Sequence, residues 1–358
     1  MPSITDLPAL VARLRPEQRA RFERIFDVEL APGQCVIPET MRQWAIDRFG
    51  SVDEVEHQHV ARIFNIVTWD GALINPLRAR RLPKLPREPF VLAEADDIFA
   101  HPLETTAADS FGRVRGRHGI TTGNVARWDG LHAVLIFDQP DPLAFTRDHL
   151  RDYFETALVW ANKAHQADPE ARYFFWMWNG GLAGGASIKH AHAQMALGRG
   201  RHYAKIERLR RAALAYAGQH GANYFDDLYA AHADIGLAFE AGGLRAFEYL
   251  AALRGKDTWI IGEAINTQLA DALHDTLRGL LDRAGMRAFD VGLYVPPLWP
   301  GALGDGAEDW RGFPVIARIV GRNHLAESSD IGAGDLFAMS VIPDDPFVVK
   351  EVIVNSDS

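Results

Sequence analysis

Cysteine is nearly absent from this chain of 358 residues, in which Cys35 stands alone. A single cysteine cannot form an internal disulfide, and it excludes a zinc site built only from cysteines. No apolar run approaches the roughly 18 residues of a membrane-spanning helix, and residues 1–29 lack the apolar core of a signal peptide. We therefore expect a cytoplasmic protein with no membrane partner.

Positively charged residues are also fewer than negatively charged ones. Lysine and arginine number 38, aspartate and glutamate number 47, and the formal net charge is −9. Nucleic-acid binding depends on clustered positive charge, so the composition argues against DNA or RNA as a partner. A phosphate compound would have to be held by local donors that act against the overall charge. Histidine, by contrast, is abundant, with 14 residues.

The first part of the chain, residues 1–56, is predicted to be helical. Apolar residues recur at helical spacing over 1–56, and the β-branched and aromatic residues of 59–69 predict a strand. Prolines interrupt the basic stretch 75–84, which predicts an ordered loop rather than regular structure. We divide the chain into an N-terminal helical extension over 1–58, a first half over 59–200 and a second half over 201–358.

One order of elements, β-β-α-β-β, is predicted twice, with a period of about 125 residues. The first copy comprises strands over 117–125 and 131–138, a helix over 143–166, and strands over 173–178 and 188–197. The second comprises strands over 245–251 and 257–262, a helix over 267–284, and strands over 289–295 and 314–321. Two further helices are predicted between the copies, over 202–218 and 223–240. The pattern predicts an α+β fold with two pseudo-repeats, an antiparallel sheet and flanking helices.

A glycine-rich turn stands before the last strand of the first copy. Four of the six residues 180–185 are glycine, and such a backbone can approach a ligand closely and direct its N–H groups at an anion. Gly184 and Gly185 are therefore candidates for phosphate binding. The segment is not a P-loop, because no Gly-Lys-Ser/Thr follows, and not a dinucleotide fingerprint, because it leads into a strand.

Three polar residues follow at alternate positions, namely His190, His192 and Gln194. Alternation along a strand places them on one face, with small alanines between them. Polar side chains in a buried strand are costly without partners. An isolated His-x-His pair is more typical of hydrogen-bonded core histidines or of a metal site, but the adjacent glycine turn favours a catalytic cluster.

Such a cluster can carry out nucleophilic catalysis at phosphorus. An imidazole with a pKa of about 6.5 is available as a nucleophile at neutral pH. Attack on an α-phosphorus gives a nucleotidyl-histidine, and an acceptor on the other ring nitrogen must hold the correct tautomer. Donors must surround the phosphoryl oxygens, where charge develops, and Ser187 and Gln194 are the side-chain candidates.

The string Asn-x7-Ser-x2-His-x-His-x-Gln, from Asn179 to Gln194, resembles the active-site segment of the galactose-1-phosphate uridylyltransferase branch of the histidine triad superfamily. The diadenosine tetraphosphate phosphorylases, or ATP adenylyltransferases, share its Gly-Ala-Ser and His-x-His-x-Gln parts. The resemblance implies a nucleophile at His192, oriented by the backbone or the side chain of His190. It also implies phosphate contacts from Ser187 and Asn179.

Gln194 stands where hydrolases of this superfamily carry a third histidine. A histidine can protonate a poor leaving group such as an amine, whereas a leaving phosphate, with a second pKa near 6, needs little help. The glutamine therefore favours a transferase or a phosphorylase over a hydrolase.

The resemblance continues upstream, at Asn124, His132, Arg78 and Arg81. It implies a ribose or phosphate contact from Asn124, unless this residue only shapes a turn. It places His132 beside the nucleotide, unless this residue is a core histidine with satisfied hydrogen bonds. Arg78 and Arg81 follow an Asn-Pro-Leu stretch that the family carries near its nucleotide; they supply local positive charge there or lie in a solvated loop.

Many uridylyltransferases of this branch bind zinc through a Cys-x-x-Cys pair and two histidines, which correspond here to His118 and His190. The cysteine pair is missing, because residues 96–101 read Asp-Asp-Ile-Phe-Ala-His. Oxygen and nitrogen ligands suffice for zinc, so Asp97 and His101 could complete an alternative metal site. We expect instead that the metal has been lost and that no cofactor is required.

These features predict a nucleotidyltransferase that moves UMP or AMP between phosphate acceptors through a covalent intermediate on His192. The second half has no His-x-His over 314–320 and is predicted to be a degenerate copy. The predicted partners are nucleotides with sugar phosphates or phosphate, and the resemblance implies a homodimer. Two alternatives stay open: a diadenosine tetraphosphate phosphorylase or ATP adenylyltransferase, and a nucleotide-binding protein without catalysis.

Overall fold

The computed structural model describes residues 1–81, 89–299, 308–322 and 331–355. Its strands are β1 (Phe26–Gln34), β2 (His57–Asn65), β3 (Asp70–Ile74), β4 (Gly119–Gly123), β5 (Leu131–Phe137), β6 (Tyr173–Gly180), β7 (His192–Gly198), β8 (Ala238–Ala241), β9 (Leu244–Glu248), β10 (Thr258–Gly262), β11 (Phe289–Tyr294), β12 (Val315–Gly321) and β13 (Met339–Ile342). Its α-helices are α1 (Leu7–Ala12), α2 (Pro16–Glu23), α3 (Arg42–Phe49), α4 (Val52–Glu56), α5 (Leu77–Arg81), α6 (Pro102–Thr105), α7 (Arg147–Ala167), α8 (Ala204–His220), α9 (Tyr224–Asp234), α10 (Thr267–Arg278), α11 (Ile331–Phe337) and α12 (Pro346–Val354).

Nine antiparallel strands form the main sheet, in the order β4-β5-β7-β6-β11-β12-β10-β9-β8. The strands of each repeat have the same internal order, read from the outside of the sheet towards its centre. The third strands of the two repeats, β6 and β11, pair at the middle and join the repeats into one sheet. The predicted α+β fold with two β-β-α-β-β repeats is therefore confirmed, with β8 added at one edge.

One long helix from each repeat covers the same face of this sheet. α7 and α10 are amphipathic, and their apolar stripes carry Phe154, Trp160 and Leu273 into the core. Trp176 and Trp178 of β6 lie in the same core, because alternate residues of a strand share a face. The intervening residues of β5, β6 and β7 therefore point to the opposite face, where the candidate site lies.

That opposite face is covered differently in the two halves. In the second half, Trp259 of β10 packs in a large core with Leu209 of α8, Leu228 of α9 and Ile63 of β2. In the first half, the described residues that cover the strands form a small cluster around Phe99. The first half therefore keeps the more accessible strand surface. None of the helices in the described ranges is long and apolar enough to cross a lipid bilayer.

A second sheet, in the order β1-β2-β3-β13, corrects the prediction that residues 1–56 are helical throughout. β1 lies within that range and pairs with β2 over its whole length. Phe26, Val28 and Leu30 alternate with acidic residues, which is the period of a strand and not of a helix. The parallel partner of β3 is β13, so the C-terminal part of the chain completes this sheet.

The basic stretch predicted to be a loop begins with a short helix, α5. The prediction was wrong there because Pro76 precedes the helix, and a proline before or at the first helical position does not interrupt it. The rest of the stretch, residues 82–84, lies outside the described residues. The domain boundaries at 58 and 200 stay predictions.

Candidate active site

His192 is the first residue of β7, and only 5% of its surface is exposed. Its Nδ1 atom lies 2.7 Å from the backbone carbonyl oxygen of His190. Because a carbonyl only accepts, Nδ1 carries the proton and Nε2 keeps its lone pair. Burial lowers the pKa of His192 below the ordinary 6.5, against the opposing effect of the carbonyl bond. The ring is therefore neutral at neutral pH, with a nucleophilic Nε2.

His190 is held from both sides. Its Nδ1 lies 2.7 Å from Oδ2 of Asp97, and its Nε2 lies 2.7 Å from the carbonyl oxygen of Phe137. Both partners are acceptors, so the ring donates from both nitrogens. The side chains of His190 and Asp97 are only 7% and 8% exposed, which shields the pair from water. The arrangement fixes the backbone of His190 and, with it, the carbonyl that orients His192.

Of the three polar residues predicted to alternate along one strand, His192 and Gln194 lie in β7. His192 and Gln194 stand opposite Ile136 and Val134 of β5, on the face away from the helices. The strand begins at His192 and not at residue 188, so His190 precedes it. The reason is that the N–H group of Ala191 donates to the carbonyl of Pro140, in the loop after β5, and not to a neighbouring strand.

Phe99 closes one side of the histidine pair. Its ring makes edge contacts with both imidazoles, with centroids 5.8 Å from His190 and 5.4 Å from His192. The ring is buried together with Ile120 and Ile136, so this side of the nucleophile is apolar and excludes water. Sequence reasoning considered Asp97 only as a metal ligand and missed Phe99, although both lie within residues 96–101, where the resemblance implied a cysteine pair.

Gln194 is positioned by His132. Nε2 of His132 lies 2.8 Å from Oε1 of Gln194, and its Nδ1 accepts from the backbone N–H of Trp128 at 3.3 Å. Nε2 is therefore the protonated nitrogen, so the Gln194 oxygen accepts and its amide NH₂ remains available to donate. Burial lowers the pKa of His132, and the indole of Trp128 stacks on its ring. The hydrogen bonds of this core histidine are satisfied, and they set the orientation of Gln194.

Glycines are required in this turn for two different structural reasons. Gly181 and Gly185 have φ angles of 95° and 91°, in the left-handed region that favours glycine. Gly184 has no space for a side chain, because a Cβ there would lie 2.7 Å from the carbonyl oxygen of Phe289 and 3.0 Å from Oδ1 of Asp290. The turn therefore packs directly on β11 of the second repeat.

Polar side chains flank this turn. Asn179 is the last residue but one of β6, with its Nδ2 beside Gly185, and Ser187 is exposed. Asp290, the partner of Asn179 across the β6–β11 pair, was missed by sequence reasoning because it belongs to the degenerate copy. Its Oδ2 accepts from Arg322 at 2.6 Å, whereas its Oδ1 is buried without a partner among the described residues. Burial raises the pKa of this carboxyl group.

Replacing Gly184 with alanine is expected to displace the turn. The added Cβ would meet a backbone oxygen, which cannot rotate away, so we expect a loss of about 1–3 kcal/mol in the free energy of unfolding and a fall of about tenfold or more in nucleotidyl transfer. Chemical denaturation and steady-state kinetics measure the two effects. Gly218→Ala is the matched control, because Gly218 lies in α8 with nothing within 4 Å of a new Cβ. Equal behaviour of the two variants would contradict the role of the close approach.

Three other residues were predicted to contact the nucleotide, and the structure places them in a turn and in a short helix. Asn124 shapes the turn between β4 and β5: its N–H donates to the carbonyl of His132, and its Oδ1 accepts from the N–H of Ala126 at 2.9 Å. Arg78 and Arg81 lie in α5, which packs beside α3. A nucleotide contact from these arginines stays a prediction.

The four residues of the alternative metal site are not brought together. His190 and Asp97 contact each other, but His101 bonds to a glutamate, and the ring of His118 packs against that of His149. In the described part of the chain, no group of three or more His, Cys, Asp or Glu side chains is placed to hold a metal ion. The described donors therefore do not fit a zinc site of this composition.

Comparison with known proteins relates this chain to others only through its structure. No family model matches the sequence, and no curated protein sequence matches it. An ADP-glucose phosphorylase from Arabidopsis thaliana, solved with bound ADP-glucose, superimposes with a TM-score of 0.61 at 14% identity, over 82% of this chain and 97% of that one. A GalT-like protein from Arabidopsis thaliana gives 0.61 at 16% identity, over 82% and 98% of the two chains.

A uridylyltransferase structure gives a TM-score of 0.56 at 16% identity, over 82% of this chain and 96% of that one. Nearly the whole length of each of these proteins is therefore matched. At such low identity the likeness establishes the fold, which confirms the fold implied by the resemblance in the histidine segment.

Proposed function

We propose that this protein is a nucleotidyltransferase that carries a nucleoside monophosphate on Nε2 of His192. The observation that carries the proposal is the hydrogen bond from Nδ1 of His192 to the carbonyl of His190. It leaves Nε2 unprotonated, on a ring whose pKa is lowered. A neutral imidazole that is held in one orientation beside a glycine turn can attack an activated phosphate.

In the first step, the lone pair of Nε2 attacks the α-phosphorus of a nucleotide donor. A P–N bond forms as the P–O bond to the leaving group breaks, and the leaving phosphate departs with the bonding electrons. The imidazole ring gains positive charge in this step, and the carbonyl of His190 stabilises that charge through the Nδ1–H bond. The NH₂ group of Gln194 is available for the phosphoryl oxygens, whereas the N–H groups of Gly181, Gly184 and Gly185 donate to carbonyls within the turn.

In the second step, an oxygen of the acceptor phosphate attacks the same phosphorus. The P–N bond breaks, and its electron pair returns to Nε2, which restores the neutral ring. Neither step requires a strong general acid, because both leaving and attacking groups are phosphates with low pKa values. This agrees with a glutamine at position 194, whose amide donates a hydrogen bond but does not titrate.

The donor and the acceptor follow by analogy with the superimposed proteins. One of them is an ADP-glucose phosphorylase and another is a uridylyltransferase, so we propose an adenylyl or uridylyl sugar nucleotide, or a related anhydride, as the donor. A sugar phosphate or inorganic phosphate is the proposed acceptor. The homodimer and the cytoplasmic location also stay predictions.

The test is a panel of donors labelled at the α-phosphate: UTP, UDP-glucose, ATP, ADP-glucose and diadenosine tetraphosphate. Acid-labile label on the protein, followed by its transfer to glucose 1-phosphate or phosphate, is the expected result. Label from the uridine or adenine donors identifies the base, and label only from diadenosine tetraphosphate or ATP identifies the alternative phosphorylase. Nucleotide binding with no label from any donor would contradict the proposal and favour a binding protein without catalysis.

The rate of protein labelling should keep its plateau to unusually low pH. Only the neutral ring of His192 attacks, and its pKa lies below the ordinary 6.5 because of burial. The neutral form therefore predominates at pH 6.5, and the rate should fall only below that value. Single-turnover labelling between about pH 5 and 8 measures this fall in the labelling rate. A midpoint above 6.5 would contradict the neutral, buried nucleophile.

A further inference from the structure

A cavity of about 460 Å³ lies between the turn that joins β2 to β3 and the second half of the chain. Its wall includes Trp69, Lys205, Arg208, Trp259, Tyr294 and Arg318. Arg318 lies on β12, three strand positions from β7 in the main sheet, which places it about 14 Å from the strand of His192. The cavity is large enough for a small molecule, and none of its lining residues belongs to the candidate active site.

Arg318 is a cation anchored in the wall of this cavity. It is 4% exposed, and its Nε and Nη2 bond to the two carboxylate oxygens of Asp257 at 2.9 and 2.6 Å. The rings of Trp259 and Tyr249 flank the guanidinium. Nη1 is buried and has no hydrogen-bond partner of normal geometry among the described residues. The guanidinium therefore places a fixed positive charge in the wall of the cavity.

Two further cations line the same cavity. Nζ of Lys205 lies 3.4 Å from Oδ1 of Asp70, and burial, with Arg318 close by, lowers the pKa of Lys205. Arg208 is exposed and forms no ion pair with a described residue. With Asp335 as the other acidic residue, the wall holds three cations and two carboxylates. An anion placed between the cations would compensate for their mutual repulsion and for the desolvation of Lys205.

The mouth of the cavity carries a constrained aromatic residue. Trp69 is 72% exposed and has a φ of 59°, which is rare for a bulky side chain. Its N–H donates to the carbonyl of Asn65 at 2.7 Å, and the Asn65 side chain donates to the hydroxyls of Tyr224 and Tyr249. Ala338, with a φ of 54°, lines the cavity as well. The surrounding contacts thus hold a flat, exposed indole beside the cationic wall.

We propose that this cavity is a second ligand site, which binds a phosphate monoester of a nucleoside or of a sugar. The phosphate would accept from Lys205 and from Arg208, with the charge of Arg318 in the wall beside them, because a dianion matches several convergent cationic groups. The base or sugar ring would pack on the face of Trp69, which supplies a large rigid contact area. The site does not depend on the chemistry at His192.

Isothermal titration calorimetry on the full chain tests the site with AMP, UMP, glucose 1-phosphate and inorganic phosphate. We expect at least one ester to bind in a manner that survives His192→Ala, and to bind more tightly than inorganic phosphate does. AMP or UMP as the tighter ligand identifies a nucleoside ester, and glucose 1-phosphate identifies a sugar ester. Trp69→Phe should reduce the accompanying change in tryptophan fluorescence, to which Trp259 of the cavity wall also contributes, while the ester still binds.

Arg208→Gln carries the decisive comparison, because Arg208 is exposed and its loss does not leave a buried group unpaired. We expect its affinity for the ester to fall about tenfold or more. Arg211→Gln is the matched control: it removes the same charge from the same helix, 59% of its side chain is exposed, and it pairs with Glu207 outside the cavity wall. Lys205→Met should weaken binding to a similar degree.

The proposal would be overturned if no ester bound to the wild-type chain at millimolar concentration, or if Arg208→Gln and Arg211→Gln bound the ester equally well. It would also be overturned if inorganic phosphate bound as tightly as the esters, because the ring would then contribute nothing. Loss of protein labelling in the donor panel would contradict the transferase and leave this binding result unchanged, so the two proposals fail separately.

Discussion

Replacing His192 with alanine should lower nucleotidyl transfer about 10⁴-fold or more. The variant loses the atom that forms the P–N bond, so neither half-reaction can proceed through the covalent route. The fold should be retained, because among the described residues the side chain makes one hydrogen bond, to the carbonyl of His190, whose loss costs about 1 kcal/mol. Steady-state turnover and denaturation of the same preparation separate the two effects.

His59→Ala is the control for this substitution. His59 is exposed on β2, in the smaller sheet, and the same atoms are removed there. Its transfer rate should match that of the unaltered protein. Turnover of His192→Ala within tenfold of the control would show that a different residue, or direct transfer between the substrates, carries the reaction.

Replacing Asp97 with alanine should damage both stability and catalysis. The change leaves the Nδ1–H group of His190 buried and unpaired, and breaking a buried charge pair costs about 3 kcal/mol. The backbone of His190 then loses one of its two anchors, and displacement of its carbonyl turns the His192 ring away from the substrate. A misplacement of about 1 Å can cost about 100-fold in rate, so we expect a fall of that size in the labelling rate.

Asp97→Asn separates position from charge. An asparagine oxygen can still accept from Nδ1 of His190, so this variant should recover most of the stability and more than half of the lost activation free energy. Labelling should be measured well below the unfolding temperature of each variant, so that unfolded protein does not contribute. If Asp97→Ala labels at the normal rate under these conditions, the residue supports the fold alone and does not position the nucleophile.

Much of the main sheet could be predicted because its elements have strong local periodicity. The stripe of apolar residues along α7 and the β-branched runs of β5 and β12 each indicate their element without any knowledge of the fold. The second sheet was harder to predict because its strands come from distant parts of the chain. β13 pairs with β3 across more than 260 residues, and no local pattern reports such a pairing.

The candidate site likewise has one part that could be predicted from the sequence and one part that could not. His192, His190, Gln194 and the glycine turn lie within one short segment, so their spacing was visible in the sequence. Asp97 and Phe99 reach the histidines from a segment more than 90 residues earlier, through contacts that only the folded chain creates. The position of His190 before the strand, and not within it, follows from a backbone bond to Pro140. Alternation alone could not have predicted it.

Nε2 of His192 is the atom that we propose to carry the nucleotide. Mass spectrometry of the protein quenched at high pH during turnover, and then digested, locates the modified residue directly, because a phosphoramidate survives in base and is lost in acid. The account predicts one nucleotide per chain, on the peptide that contains His192, which disappears when acceptor is added. An adduct on any other residue, or turnover with no adduct at all, would contradict it.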